Sequence, residues 1–420
     1  MHRHRLAALA GIPLLSLLPT LAHATNGYFT AGVGAQSQSQ AGVGVSSADS
    51  VDAAALNPAL GLKAGNSVGG GIGLFSPSRD DTNSGGNAPG YDLGNGKHTS
   101  GEDLFEVPYL GANFQLDDKT AASILLYANG GMNTHYASNP FSGLLGVHGS
   151  TPAGVDLDQL FLQPNVARAL GGGFSVGAGP VLAIQRFAAR GLQGFDNPFV
   201  SSAPGSVTNR GYDYSYGGGF KLGATYDPIR WLTLGAVYQS RIWSTDFSKY
   251  KGLFANQGNF DIPASTTEGL TIRPIPTVAL SLEYQRIFYG DVASIANQGS
   301  APGLLGASGG KGFGWKDMNI FRLGLQWKPT DQLALRTGFS HATDFTNSDN
   351  VTFNILAPAT IKDHASIGAG YDITPNWTID VAYTHAFSQS LTGTNQFDPA
   401  QTVKLRMDQD EGTLGVTYRW

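Results

Sequence analysis

No cysteine occurs in the 420 residues, so disulfide staples and thiolate metal sites are both excluded. Charge is sparse at 14% and leans acidic, with 26 Lys and Arg against 31 Asp and Glu, which argues against nucleic acid as a partner. Beyond residue 24 no uncharged apolar run is long enough to cross a bilayer as a helix, and the mean hydropathy is slightly negative at −0.11. Histidines beyond residue 24 (His98, His135, His148, His341, His364 and His385) stand apart from one another, with no pair at a ligand spacing. They point to no metal site, and no cofactor is implied.

What is present begins with a leader. His2, Arg3, His4 and Arg5 form a basic head, Leu6 to Leu18 an apolar stretch, and Ala22-His23-Ala24 a small-x-small cleavage site, so residues 1–24 read as a signal peptide of an exported protein. Its removal takes Arg3 and Arg5 away, leaving 24 basic against 31 acidic residues in a chain that begins at Thr25.

The last strand is the most informative segment. Leu414, Val416, Tyr418 and Trp420 share one face, and Thr413, Gly415, Thr417 and Arg419 the other, with an aromatic at the C-terminus. A strand that is apolar outside and polar inside suits the wall of an outer-membrane β-barrel. The same alternation recurs: Trp377, Ile379, Val381, Tyr383 and Phe387 oppose Thr378, Asp380, Ala382, Thr384 and Ala386, and Phe321, Leu323, Leu325 and Trp327 oppose Arg322, Gly324 and Gln326. Glu283, Arg322, Arg336, Asp380 and Arg406 are expected to face the interior, where charges pair across strands.

Connections alternate in length. Short polar breaks near 117–119, 171–172, 227–230, 328–331 and 374–376 are separated by longer stretches at about 77–102, 131–157, 188–211, 248–266, 297–314, 345–360 and 390–404. Short periplasmic turns and long external loops are the barrel arrangement. The expected fold is all-β: a transmembrane antiparallel barrel of fourteen strands over residues 66–420. Residues 25–65 are rich in Gly, Ala, Ser and Gln and too poor in apolar surface to form a lipid-facing wall. Asn57-Pro58-Ala59 fixes a turn there, which favours an N-terminal hatch folded into the lumen over a loose tail.

Several stretches resemble the FadL family of outer-membrane transporters for long-chain fatty acids and other hydrophobic compounds. The hatch pattern is carried by Thr25-Asn26-Gly27-Tyr28-Phe29, Ala41-Gly42-Val43-Gly44-Val45, Ala48-Asp49-Ser50 and Asn57-Pro58-Ala59. Gly314-Trp315-Lys316-Asp317 leading to Leu335-Arg336-Thr337-Gly338 is similar to the family's tenth and eleventh strands; Ile367-Gly368-Ala369-Gly370-Tyr371 and Asp380 to His385 are similar to its twelfth and thirteenth. The resemblance implies a passive channel in which ligand is caught between external loops, passes to a pocket touched by the hatch, and leaves sideways through a kink in the third strand. That kink maps to Asn129-Gly130-Gly131, where paired glycines would weaken a strand on general grounds. The capture loops contain Leu192, Phe195, Phe199, Leu253, Phe254 and Phe260. The implied partners are a hydrophobic small molecule, outer-membrane lipid and lipopolysaccharide, with the chain acting as a monomer.

Two alternatives come from other classes. A barrel phospholipase needs a serine and histidine near one wall. Three Gly-x-Ser-x-Gly matches occur, at 65–69, 173–177 and 306–310, but none has the strand-turn-helix setting of a nucleophile elbow, and His385 is the one mild histidine candidate. A general diffusion porin would lack the hatch. The residues therefore favour a transporter over an enzyme.

Overall fold

A computed structural model describes residues 25–47, 50–146 and 151–420. The leader 1–24, Ala48-Asp49 of the hatch pattern and His148 lie outside the described residues.

Fourteen strands close one antiparallel barrel: β1 Ser67–Gly85, β2 Phe105–Asp117, β3 Thr120–Asn133, β4 Gly154–Gly171, β5 Phe174–Arg190, β6 Asp213–Ile229, β7 Leu232–Gln239, β8 Ser265–Ile275, β9 Val278–Ile287, β10 Met318–Trp327, β11 Leu333–Ala342, β12 Asp363–Asp372, β13 Trp377–Thr394 and β14 Gln401–Arg419. Each pairs with the next, and β14 closes on β1 from Gln401↔Gly85 to Arg419↔Ser67. Every strand is paired on both sides over most of its length, the condition for strands to cross a bilayer. No described helix is long and apolar enough to do so.

Alternation sorts the two faces as expected. Leu414, Val381, Phe321 and Leu323 are exposed on the outer face, while Thr413, Asp380, Arg322 and Glu411 are buried inside. Trp231, Trp327, Trp377 and Trp420 lie exposed by the short-turn ends, where aromatic rings suit the membrane interface. One expectation is corrected: Arg406 does not face the lumen. It shares the outer face with Leu414, because its neighbours Leu405 and Met407 turn inward, and it bonds Asp408 and Ser388 at the external rim. Two expected external loops are also shorter than their stretches, since β1 runs on to Gly85 and β13 to Thr394 as paired hairpin arms. Asp80 to Asn83 pair with a short strand, Gly96–Thr99.

The described residues between Thr25 and Ala64 lie inside the barrel. They open with a tight hairpin (Thr25–Asn26 against Phe29–Thr30), followed by α1 (Gly34–Gln38), α2 (Ala53–Leu56), a 3-10 turn Pro58–Leu60 and α3 (Gly61–Ala64). Helices this short have no stability of their own, so docking holds them. Inward glycines give the segment room. A Cβ at Gly177 would fall 2.4 Å from the Pro58 backbone, one at Gly235 2.3 Å from the Val45 carbonyl, and one at Gly338 2.3 Å from Gln40. Gly177 thus serves close packing, which explains one of the spurious nucleophile-elbow matches.

Candidate functional site: a path through the hatch and wall

Asn57 anchors the hatch to the wall. Its Oδ1 accepts from the Ala59 amide at 3.0 Å, capping the turn that Pro58 opens, and its Nδ2 donates to the Val45 carbonyl at 2.8 Å and to the Ala224 carbonyl of β6 at 3.1 Å. Across the lumen, the Gly44 and Val45 amides donate to Glu283 Oε2 at 3.0 and 2.9 Å, and Arg322 donates to the other carboxylate oxygen at 3.0 Å. Arg336 and Asp380 form a second buried pair at 2.6 Å. The expected lumen charges, Arg406 apart, are therefore cross-strand pairs, and Glu283 also holds the hatch.

The N-terminal hairpin carries the aromatic centre. Tyr28 is fully buried, with its ring 5.3 Å from Phe29, 5.4 Å from Tyr289 and 6.0 Å from both Phe260 and Trp315. Tyr289, in the loop after β9, donates its hydroxyl to the Asn26 carbonyl at 2.6 Å and accepts from the Tyr28 amide at 3.2 Å. Gly27 makes this approach possible: a Cβ there would lie 2.5 Å from the Tyr289 hydroxyl. Tyr289→Phe removes both bonds, which at about 1–3 kcal/mol for unsatisfied buried groups should loosen the hairpin. Faster amide exchange at residues 28–30 with unchanged barrel amides is the expected result; unchanged exchange at 28–30 would refute the clamp.

Next to this hairpin the wall is interrupted. The β2–β3 ladder ends at Tyr109↔Tyr127, and β3 bulges against β4 between Ala128 and Gly130. The vacated edge is taken by the hatch instead: Phe29 pairs with Gly130, and the Gly131 amide donates to the Tyr28 carbonyl at 3.1 Å. A Cβ on Gly130 would fall 1.7 Å from that carbonyl, so only glycine fits there. Asn129 turns inward and bonds Gln159 at 2.9 Å. Asn129, Gly130 and Gly131 thus sit together at the broken ladder.

Two cavities with lining residues in common lie on this side of the lumen. An apolar one of about 460 Å³ is lined by Phe187, Leu253, Phe254, Phe313, Met132 and Leu356. The other, about 360 Å³, shares Met132 and Leu356 and reaches Gly131 of β3, Gly27 of the hatch and Phe75 of β1. The one charged group on the apolar cavity is Lys311, whose ammonium donates to the Ala301 carbonyl at 2.6 Å and whose burial lowers its pKa.

The loop aromatics divide. Leu253 and Phe254 line the apolar cavity, and Phe260 packs 4.8 Å from Phe254. Leu192 and Phe195 are buried but do not line it; Phe195 packs among Phe141, Phe397 and Phe353, the last of which does line the cavity. Phe199 is 89% exposed and joins neither group. Sequence reasoning missed Tyr289 and Lys311, whose partners are set by loop folding. His385 bonds Asp410 at 2.8 Å beside Tyr383 on the outer face.

Asp52, at the start of α2, is buried, and this burial pushes its carboxyl from 3.8 up to about 7. The docked hatch therefore binds the proton more tightly than a released one. Docking stability from this group is complete below about pH 4 and is lost as pH rises through about 7. Hatch release, read as transient conductance in planar bilayers, should be more frequent at pH 8 than at pH 5, and Asp52→Asn should flatten that dependence. Equal pH dependence in the variant would refute the assignment.

A family model described as "Outer membrane protein transport protein (OMPP1/FadL/TodX)" matches residues 21–420. Among solved structures the chain is similar to the toluene transporter TodX of Pseudomonas putida (19% identity, 93% of this chain and 99% of that one, TM-score 0.71). It is also similar to a Pseudomonas aeruginosa FadL homologue (17%, 93% and 99%, 0.66) and to the toluene transporter TbuX of Ralstonia pickettii (19%, 93% and 99%, 0.63). A comparison with curated protein sequences gives no match.

Proposed function

The chain belongs to the OMPP1/FadL/TodX family of outer-membrane transport proteins, and from that premise we propose that it takes up hydrophobic small molecules by passive lateral passage through its own wall. Family membership sets it apart from enzymes. The observation that carries the lateral route is the broken β2–β3 ladder beside two cavities that share Met132 and Leu356, with the hatch hairpin standing in the gap. Ligand enters between the loops, rests in the apolar cavity at Phe254 and Phe313, passes Met132, and leaves between β2 and β3 when the hairpin withdraws. An apolar solute gains about 25 cal/mol per Å² on leaving water for such a cavity, so no energy source is needed. The hatch at 25–65, the barrel at 66–420, the removal of residues 1–24 and action as a monomer amid lipid and lipopolysaccharide belong to the same reading.

Two ligand classes fit. TodX and TbuX are named toluene transporters, which supports a monoaromatic hydrocarbon; Lys311 on an otherwise apolar cavity supports a ligand with a carboxylate, such as a long-chain fatty acid. Mass analysis of protein extracted from outer membranes, with a density map, tests the reading. A hydrophobic molecule between Phe254 and Met132 is the expected finding, and a cavity that takes up neither toluene nor oleate on soaking would refute it.

A further inference from the structure

A second chamber, of about 630 Å³ and partly open to solvent, lies between the hatch, Tyr127 and Asn129 of β3, and β6 to β10. Hatch residues Phe29, Val33 and Leu56 give it an apolar side, and Gln239, Gln285 and Thr267 of the wall a polar one. Lys221 of β6 lines it and is 7% exposed. Its ammonium donates to the Ala55 carbonyl at 2.7 Å and to the Tyr127 hydroxyl at 3.2 Å, and no carboxylate among the described residues pairs with it. An ammonium has three donors, so one is left for the chamber.

The one carboxylate on this chamber is already occupied. Glu283 takes Arg322 on one oxygen and the Gly44 and Val45 amides on the other. Arg322 still has a buried Nε without an acceptor. The chamber thus has a lysine with no carboxylate partner among the described residues, with an apolar wall opposite. Burying an unpaired charge is costly, and a guest anion removes that cost.

We propose that this chamber is a second ligand station, in which Lys221 holds the carboxylate of an amphipathic acid whose chain lies against Phe29, Val33 and Leu56. The inference rests on the reading of the barrel as a channel for hydrophobic ligands. It gives the protein a site that favours acids over neutral hydrocarbons, reached beside the same Phe29 that stands at the broken ladder. Tyr127, which accepts from Lys221 and donates to Gln163 at 2.5 Å, fixes where the ammonium sits. Tyr127 is therefore a positioning residue.

The test uses the purified full-length mature chain and two matched probes, dodecanoate and dodecanol. The wild type is expected to bind dodecanoate more tightly by at least about ten-fold, the scale of one charge-assisted hydrogen bond. Lys221→Met should erase most of that preference while leaving dodecanol binding unchanged, and Lys221→Arg should restore it. Lys311→Met, measured in parallel, reports the upper cavity alone. Folding of each variant is checked by the heat-dependent gel shift of a closed barrel. An unchanged dodecanoate preference in folded Lys221→Met overturns the proposal while the transport reading stands; failure of the wild type to bind either probe overturns both. Crystals soaked in bromide separate the sources of the anion. A bromide peak at Lys221 Nζ that dodecanoate displaces supports a ligand carboxylate, and one that dodecanoate leaves in place overturns it in favour of a free ion.

Discussion

Deleting residues 30–60 should leave a folded barrel whose ion conductance in planar bilayers rises by about an order of magnitude or more, because a fourteen-stranded wall without its filling encloses a water-filled channel. The expectation follows from how the hatch is held. Its only strand pairing with the wall among the described residues is Phe29 opposite Gly130, outside the fourteen-strand ladder; its other ties are hydrogen bonds to inward groups such as Glu283, Glu411 and the Ala224 carbonyl. Water replaces those partners when it goes, and the Glu283–Arg322 and Arg336–Asp380 pairs remain in place across strands. Unchanged conductance in an assembled deletion variant would mean that the segment does not close the pore.

Replacing Gly130 and Gly131 with valine should lower uptake of a hydrophobic substrate by about ten-fold or more while the barrel still assembles, since valine favours continuous strand and fills the space glycine leaves. The two positions act differently. At Gly130 a side chain collides with the Tyr28 carbonyl and expels the hatch strand, whereas at Gly131 the amide bond to that carbonyl survives and the added methyls enter the cavity at the wall. Gly131→Val is therefore the cleaner probe, expected to block passage with conductance unchanged. Wild-type uptake by the assembled double variant would exclude the wall route and point to release straight down into the periplasm.

The barrel was legible because lipid and lumen act on alternate residues, and that contrast is written into segments such as Trp377 to Phe387 wherever a strand crosses. Arg406 was misread for a related reason. Above the membrane both faces of β14 are polar or covered by loops, so alternation no longer distinguishes them. Asn57-Pro58-Ala59 announced a turn through local chemistry, but its bonds to Val45 and Ala224 join segments that only the closed barrel brings together. The inward glycines looked like composition, and their role appears only once the hatch backbone lies against them. Tyr289 stands 263 residues from Asn26, a separation over which no sequence pattern operates. Lys221 did leave a trace, a lysine on the inner face of a strand between outward Phe220 and Leu222, with the strand's two acids, Asp213 and Asp227, near its ends.

The central claim is that this barrel passes hydrophobic molecules and holds back water-soluble ones. Its most direct measurement is uptake of labelled toluene, oleate and a small sugar by Gram-negative cells with intact lipopolysaccharide, with and without this chain. Saturable, chain-dependent uptake of toluene, oleate or both, with sugar entry unchanged, is the predicted result. Chain-dependent sugar entry with no gain for either hydrophobic compound would contradict it and make the protein a general diffusion pore.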